Sequence, residues 1–211
     1  MSKNKSQPKH NPADCKVGVL ALQGSFQEHK EILQRIGSEV REVRLPEDLK
    51  DLDGLIIPGG ESTTIGKLIL DFGFLEPLRS FGEKKAIWGT CAGAILLSKD
   101  VHRKQPLLEL MDITVDRNAF GRQIASFETE LNIPALEFVS SDPTVFPGIF
   151  IRAPLISSVN GNAEALASLP DGQIVAARQG HLLATAFHPE LTDDDRIHRY
   201  FIHLAQGNLE N

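Results

Sequence analysis

The sequence predicts an α/β fold of three layers, in which a mostly parallel sheet carries helices on both faces. Two observations predict it. Short β-branched apolar runs recur through the first half, each followed by a stretch with helically spaced apolar residues. Three of these runs end in glycine turns: "LQG" at 22–24, "PGG" at 58–60 and "GTCAG" at 89–93. A strand, a helix and a second strand form a βαβ unit, whose strands are parallel and whose helices cover the sheet.

The elements follow in order. "KVGVLALQG" (16–24) reads as a buried strand at the sheet centre. "SFQEHKEILQRIG" (25–37) reads as a helix, with Ser25 as N-cap, Gly37 as stop, and Phe26, Ile32, Leu33 and Ile36 on one face. "SEVREVRL" (38–45) alternates as a strand near an edge does. "DGLIIPGG" (53–60) is a strand and "STTIGKLILDFG" (62–73) its helix; "FLEPLRSFGEKK" (74–85) is helical with a break near Gly82. "AIWGT" (86–90) gives the third strand and "AGAILLSK" (92–99) its helix. The second half is richer in strands: 108–118, 126–133, 148–154, 172–180 and 181–190, the last two turning as a hairpin near Gly180. The chain closes with a helix over 192–207, its first turn acidic and its apolar stripe at Ile197, Tyr200, Phe201 and Leu204.

Composition narrows the class of function. The chain has 211 residues, enough for one well-buried domain. With 41% hydrophobic and 24% charged residues, gross disorder is out. A net charge of -6 argues against a nucleic-acid or anionic-membrane surface. No apolar run approaches the roughly 20 residues that span a bilayer. Cys15 and Cys91 make no disulfide framework, which suits a reducing cytosol. The opening "MSKNKSQPKHNPAD" has no apolar core, so it is no secretory signal. It reads as a disordered extension over 1–15, leaving 16–211 as the folded domain.

Ligands gather at the carboxyl ends of parallel strands. "GTCAG" lies at such an end and has the form G-x-C-x-G, matching the strand-to-helix nucleophile elbow G-x-S-x-G. The glycines relieve crowding in the turn, and the helix N-terminus favours thiolate. The same pattern also suits a cysteine packed among small residues. "FHPEL" (187–191) ends another apolar run. His188 and Glu190, two apart, project to one side of an extended chain, so a base and the acid that orients it would stand together. "PGGEST" (58–63) supplies backbone N–H groups. One near Gly60, with that of Ala92, would hold a tetrahedral oxyanion, while Ser62 would cap the next helix. The P-loop spacing is absent. Arg117 and Arg152 sit among apolar neighbours and must pair, either with a structural carboxylate or with a zwitterionic ligand. His29, His181 and the other histidines read as surface or core residues, and no cluster has metal-ligand spacing.

Together these pieces resemble the triad-type (class I) glutamine amidotransferases. "GVLALQGSFQEH", "LIIPGGESTT", "WGTCAGAILL", "DRNAFGRQIASFE", "FIRAP", "VAARQG" and "FHPELTDD" are similar in particular to the glutaminase subunits of pyridoxal 5'-phosphate synthases. The similarity runs from about Lys16 to the closing helix. It implies the fold of that family, with Cys91 as nucleophile and His188 and Glu190 completing a triad. It implies L-glutamine contacts from Gly60, Glu61 and Ser62, from Arg117, and from the Ile151–Arg152 pair. Gln23 is expected near a partner-facing cleft. The implied partner is a (β/α)₈-barrel synthase subunit that joins ammonia to a pentose phosphate and a triose phosphate. The implied setting is cytoplasmic, and no cofactor is expected on this chain. Two other readings share these residues: a different Cys-His-Glu γ-glutamyl hydrolase or peptidase, and a non-catalytic module that regulates the synthase.

Overall fold

The computed structural model describes residues 11–117 and 126–208. The first half runs β1 (Lys16–Leu20), α1 (Phe26–Arg35), β2 (Glu39–Val43), β3 (Gly54–Ile57), α2 (Ser62–Asp71), α3 (Leu75–Gly82), β4 (Ala86–Thr90) and α4 (Ala92–Leu97). The second half adds β5 (Ser98–Asp100), β6 (Met111–Asp116), β7 (Ser126–Asn132), β8 (Val145–Ile151), β9 (Leu155–Val159), β10 (Glu164–Ser168), β11 (Ile174–Gln179), β12 (Leu182–Thr185) and α5 (Arg196–Ala205).

The main sheet has the order β2-β1-β3-β4-β12-β11-β9-β6-β5, with β10 beside β11. From β2 to β12 every pairing is parallel. Beyond β12 the pairings of β11, β10, β9 and β6 are antiparallel, and β5 returns parallel to β6. The β7–β8 pair forms a separate antiparallel ribbon.

Strand alternation divides the core into two layers. Leu55 and Ile57 of β3 and Ile87 of β4 pack with Ile65 and Ile69 of α2, Leu78 of α3 and the apolar residues of α4. Their neighbours Ile56 and Trp88 point the other way, against Leu33 of α1 and Ile197, Tyr200, Phe201 and Leu204 of α5. Successive residues of a strand face opposite sides, so an unbroken apolar run signals helices on both faces. The expected three-layer α/β class is what forms.

Several details differ from expectation. β1 lies second from the sheet edge, outside β3, not at the centre. Its burial comes from the helices above and below, which cover a strand wherever it stands in the order. β5, β9 and β10 were not anticipated; "SKD", "LISSV" and "EALAS" are short, and each is partly exposed. Part of the segment expected as an N-terminal extension over 1–15 is described and is ordered. Pro12–Asp14 form a 3₁₀ turn capped by Asn11, and Cys15 is fully buried. Gln206 donates to the Asn11 carbonyl (3.2 Å) and the Lys16 N–H donates to Asp53 (3.0 Å), tying this segment down. The rest of the expected extension, 1–10, lies outside the described residues, as do 118–125 of "DRNAFGRQIASFE" and of the expected strand 108–118. Among the described residues, no helix is long and apolar enough to cross a membrane.

Candidate active site

β4 runs into α4 through a single residue, Cys91. Its backbone has φ +48° and ψ −100°, a conformation side chains rarely adopt and one stored only where surroundings enforce it. The two glycines make the turn possible. A Cβ on Gly89 would lie 2.4 Å from the Gly93 carbonyl, and one on Gly93 would lie 2.0 Å from the Ile57 carbonyl oxygen. The Cys91 N–H donates to the Thr185 carbonyl (2.8 Å), pinning the elbow to the end of β12.

β12 then delivers His188, whose N–H donates to the Ile149 carbonyl in β8 (2.8 Å). The imidazole Nδ1 is 2.7 Å from Glu190 Oε1, leaving Nε2 for the Cys91 thiol, with which the ring also bonds. His188 and Glu190 meet as expected but by another route. Pro189–Leu191 form a 3₁₀ turn, so the carboxylate folds back under the ring and is not reached along an extended strand. Burial works against a charged imidazole here. The bonds to Cys91 and Glu190 outweigh it and raise His188 to about 10. Burial likewise works against the Glu190 carboxylate, and the facing His29, His188 and Ser25 outweigh it, lowering it to about 2. The result is a base held as imidazolium beside the Cys91 sulfur.

Two residues at this carboxylate were not foreseen. The Ser25 hydroxyl donates to Glu190 Oε1 (2.6 Å); it makes no cap bond to α1, the role expected for it. His29 Nε2 lies 3.4 Å from Glu190 Oε2, with both side chains fully buried. A signal for His29 was present: it falls three residues after Phe26 and four before Leu33, within the apolar stripe of α1. For Ser25 no local signal exists.

The loop after β3 completes the floor. A Cβ on Gly59 would meet His188 Cε1 at 2.5 Å and Cys91 Cβ at 3.4 Å, so only glycine lets the loop approach the pair. The Ser25 N–H donates to the Gly59 carbonyl (3.0 Å) and the Glu61 N–H to Gln23 Oε1 (2.9 Å). Gln23 thus supports the loop from beneath. Ala92 is the first residue of α4, so its N–H has no carbonyl a turn back to bond. It shares a cavity of about 360 Å³ with Gly60, Cys91, Ser62, Arg117 and Arg152.

Glu61, not Ser62, caps α2. It accepts from the Thr63 N–H (3.2 Å), the Thr64 N–H (2.7 Å) and both threonine hydroxyls, and is lowered to about 2, chiefly by the Thr63 hydroxyl. The carboxylate reaches the N–H groups because its longer side chain folds back over the first turn, whereas Ser62 is already helical. The Ser62 hydroxyl is buried at the cavity wall with no hydrogen-bond partner among the described residues. Arg117 pairs with Glu61 (3.2 Å) and Gln105 (3.0 Å). Arg152, with φ +45°, lines the cavity and has no carboxylate partner among the described residues. Ile151 stands apart: its side chain is exposed and does not line the cavity. A larger cavity, about 640 Å³, opens at the far end of β12, where Arg178 is paired with Glu164 and His181 donates to the Gly82 carbonyl. It holds no nucleophile.

Comparison with known proteins gives the family. A family model described as SNO glutamine amidotransferase family matches residues 19–206. Pyridoxal 5'-phosphate synthase subunit PdxT of Chloroflexus aurantiacus is 55% identical over 193 residues, covering 89% of this chain and 99% of that one. The same subunit of Herpetosiphon aurantiacus is 57% identical over 193 residues, with the same coverage. A crystal structure of a glutamine amidotransferase is 49% identical, covers 90% of this chain and 98% of its own, and superposes with a TM-score of 0.83. PurLQS from Thermotoga maritima shares the fold at 15% identity, over 92% of this chain and 97% of that one, with a TM-score of 0.64.

Proposed function

The chain belongs to the SNO glutamine amidotransferase family, and from that premise we propose how its residues perform the reaction. It is the glutaminase subunit of pyridoxal 5'-phosphate synthase, a glutamine amidotransferase that works with a synthase partner in vitamin B6 biosynthesis. The Cys91 thiolate attacks the side-chain carboxamide carbon of L-glutamine. The oxyanion that forms is held by the backbone N–H groups of Gly60 and Ala92. Losing one such donor costs about 3–4 kcal/mol of barrier. His188 gives its proton to the departing ammonia, and a γ-glutamyl thioester remains. Water then gives a proton to His188, attacks the thioester carbon, and releases glutamate and the thiolate. Glu190 holds the imidazole in the tautomer both steps need.

The substrate's charged end meets charged groups. Arg152, without a carboxylate partner among the described residues, is available to the glutamine α-carboxylate, and Gly60, Glu61, Ser62 and Arg117 line the same cavity. Ile151 contributes through its backbone, since its side chain lies outside the cavity. The ammonia passes to a (β/α)₈-barrel synthase subunit in the cytoplasm, a shielded transfer that keeps it from becoming ammonium. The observation that carries this reading is the strained Cys91 elbow facing a His188–Glu190 pair. Cys91→Ala, assembled with the synthase subunit, should abolish coenzyme synthesis from glutamine and leave synthesis from ammonium salts intact. Continued glutamine hydrolysis by that variant overturns it.

A further inference from the structure

Behind the Cys91–His188–Glu190 line lies a second line of polar groups that the reaction as written does not use. Glu190 Oε1 receives two donors, His188 Nδ1–H at 2.7 Å and the Ser25 hydroxyl at 2.6 Å. Oε2 is buried and makes no conventional hydrogen bond; its ion-pair neighbour is His29 Nε2, at 3.4 Å. That nitrogen is also 3.3 Å from the hydroxyl of Thr90, the residue before Cys91. On the ring's other side, His29 Nδ1 is 2.9 Å from His198 Nε2 in α5. His198 Nδ1 is buried and has no hydrogen-bond partner among the described residues. Trp88 closes the group, its ring 4.9 Å from His198 and 5.4 Å from His29.

One proton lies between His29 Nδ1 and His198 Nε2, so two arrangements are open to two neutral rings. If His29 donates, its Nε2 lone pair faces the Glu190 carboxylate, and His198 carries a buried N–H with nothing to accept it. Both features are costly in a dry interior. If His198 donates instead, His29 carries its proton on Nε2, the nitrogen 3.3 Å from the Thr90 hydroxyl and 3.4 Å from Glu190 Oε2, and the unpartnered His198 atom is a bare acceptor. The second arrangement leaves no N–H of the pair without an acceptor and brings the His29 Nε2–H beside the carboxylate. We propose that His29 is a positioning residue for the glutaminase triad: as the Nε2–H tautomer selected by His198, it sets the positive end of that N–H beside Glu190 Oε2 and keeps Oε1 turned to His188. The inference rests on the triad reading above. Burial also keeps both histidines neutral, holding each below the ordinary histidine range. The groups facing His29 are Glu190 and His188 after β12, His198 from α5, and Glu28 on α1; Arg35 adds to the field at His198.

The test has two arms. In the full chain, ¹⁵N-resolved imidazole spectra should show His29 protonated on Nε2 and bare on Nδ1; a proton on Nδ1 overturns the proposal whatever Cys91→Ala does. In the assembled synthase, His29→Phe should lower kcat for glutamine hydrolysis roughly 10- to 100-fold, as for groups that act by orienting a catalytic neighbour. KM should stay within about twofold, because His29 does not line the substrate cavity. The acid limb of the kcat/KM profile should move to higher pH, since Glu190 has lost a neighbouring dipole that favours its ionised form. His29→Gln, which can still donate from the same place, should recover most of the rate and return the limb. Sites are counted by covalent trapping of Cys91 with a glutamine-analogue electrophile. Unchanged kcat per trapped site, or an unmoved limb, overturns the proposal. Should His29→Phe fail to fold, His198→Phe carries the arm, with a smaller loss in the same direction; no loss there overturns it equally. Failure of the triad reading is read separately, from glutamine hydrolysis by Cys91→Ala.

Discussion

Cys91 combines a reactive atom with a backbone that only its neighbours can hold in place. At φ +48° and ψ −100° a Cβ is strained, and such strain amounts to about 1–3 kcal/mol. Glycine relieves it but restores chain entropy worth about 0.5–1 kcal/mol. Cys91→Gly should therefore unfold at higher urea than Cys91→Ala, by about 1 kcal/mol, with both variants inactive. Equal or reversed midpoints would remove strain from the account of the elbow. The residues legible in sequence were those whose partners are local or whose spacing is a motif: Cys91 between its glycines, and His188 with Glu190 two positions on. Ser25 was not legible, because the group it serves lies 165 residues away. His29 was half legible. Its place on the apolar stripe showed burial, but only the fold brings His198 to it, 169 residues distant. Glu61 took the cap expected of Ser62, because the choice of cap depends on where the first turn begins.

The elements that position the site are those the sequence marked most clearly. β3 and β4 are unbroken apolar runs, and each ends at a glycine turn that enters the cavity. Their junction with α4 is close enough to set a limit on composition. Adding a methyl at Gly93 places carbon 2.0 Å from the Ile57 oxygen, backbone against backbone, where no rotamer change gives relief. Gly93→Ala should destabilise the chain by about 3 kcal/mol, the upper end for overpacking, and should lose activity as the elbow shifts. A urea midpoint close to that of the unsubstituted chain would show that α4 can slide off β3 freely. The elements missed are informative by contrast. β9 and β10 carry serine and alanine on half-exposed faces, and β5 is three residues long. Such segments become strands because a neighbour offers its edge, not because their own pattern demands it.

Across the whole molecule, the βαβ alternation predicted a parallel sheet but not its extent or order. The antiparallel extension beyond β12 depends on which edge each late strand meets, and pairings so distant leave no periodicity to read. The buried ionisable groups give the assembled fold a pH dependence whose sign is calculable. His29 and His198 lie below their unfolded value of 6.5, so the unfolded chain binds more protons as pH falls below 6.5, and stability declines there. Glu190, lowered to about 2, adds a contribution that is lost as pH falls below about 4.5 toward 2. His188, raised to about 10, acts in the opposite sense. Its contribution is full below 6.5 and is lost as pH rises through about 10. Cys15, pushed up to about 12 by burial, reinforces that loss above 9.0. Stability should therefore peak near neutrality, falling on either side by up to about 1.4 kcal/mol per pH unit for each proton exchanged. The two limbs belong to different residues. His198→Phe should flatten the acid limb by about one proton between pH 6.5 and 5 and leave the alkaline limb alone. Cys91→Ala should flatten the alkaline limb, because the thiol is one of the two groups holding the proton on His188. Urea midpoints measured from pH 5 to 10 on the three proteins decide it. Identical profiles would mean that these buried groups titrate alike in folded and unfolded chains, contrary to their environments.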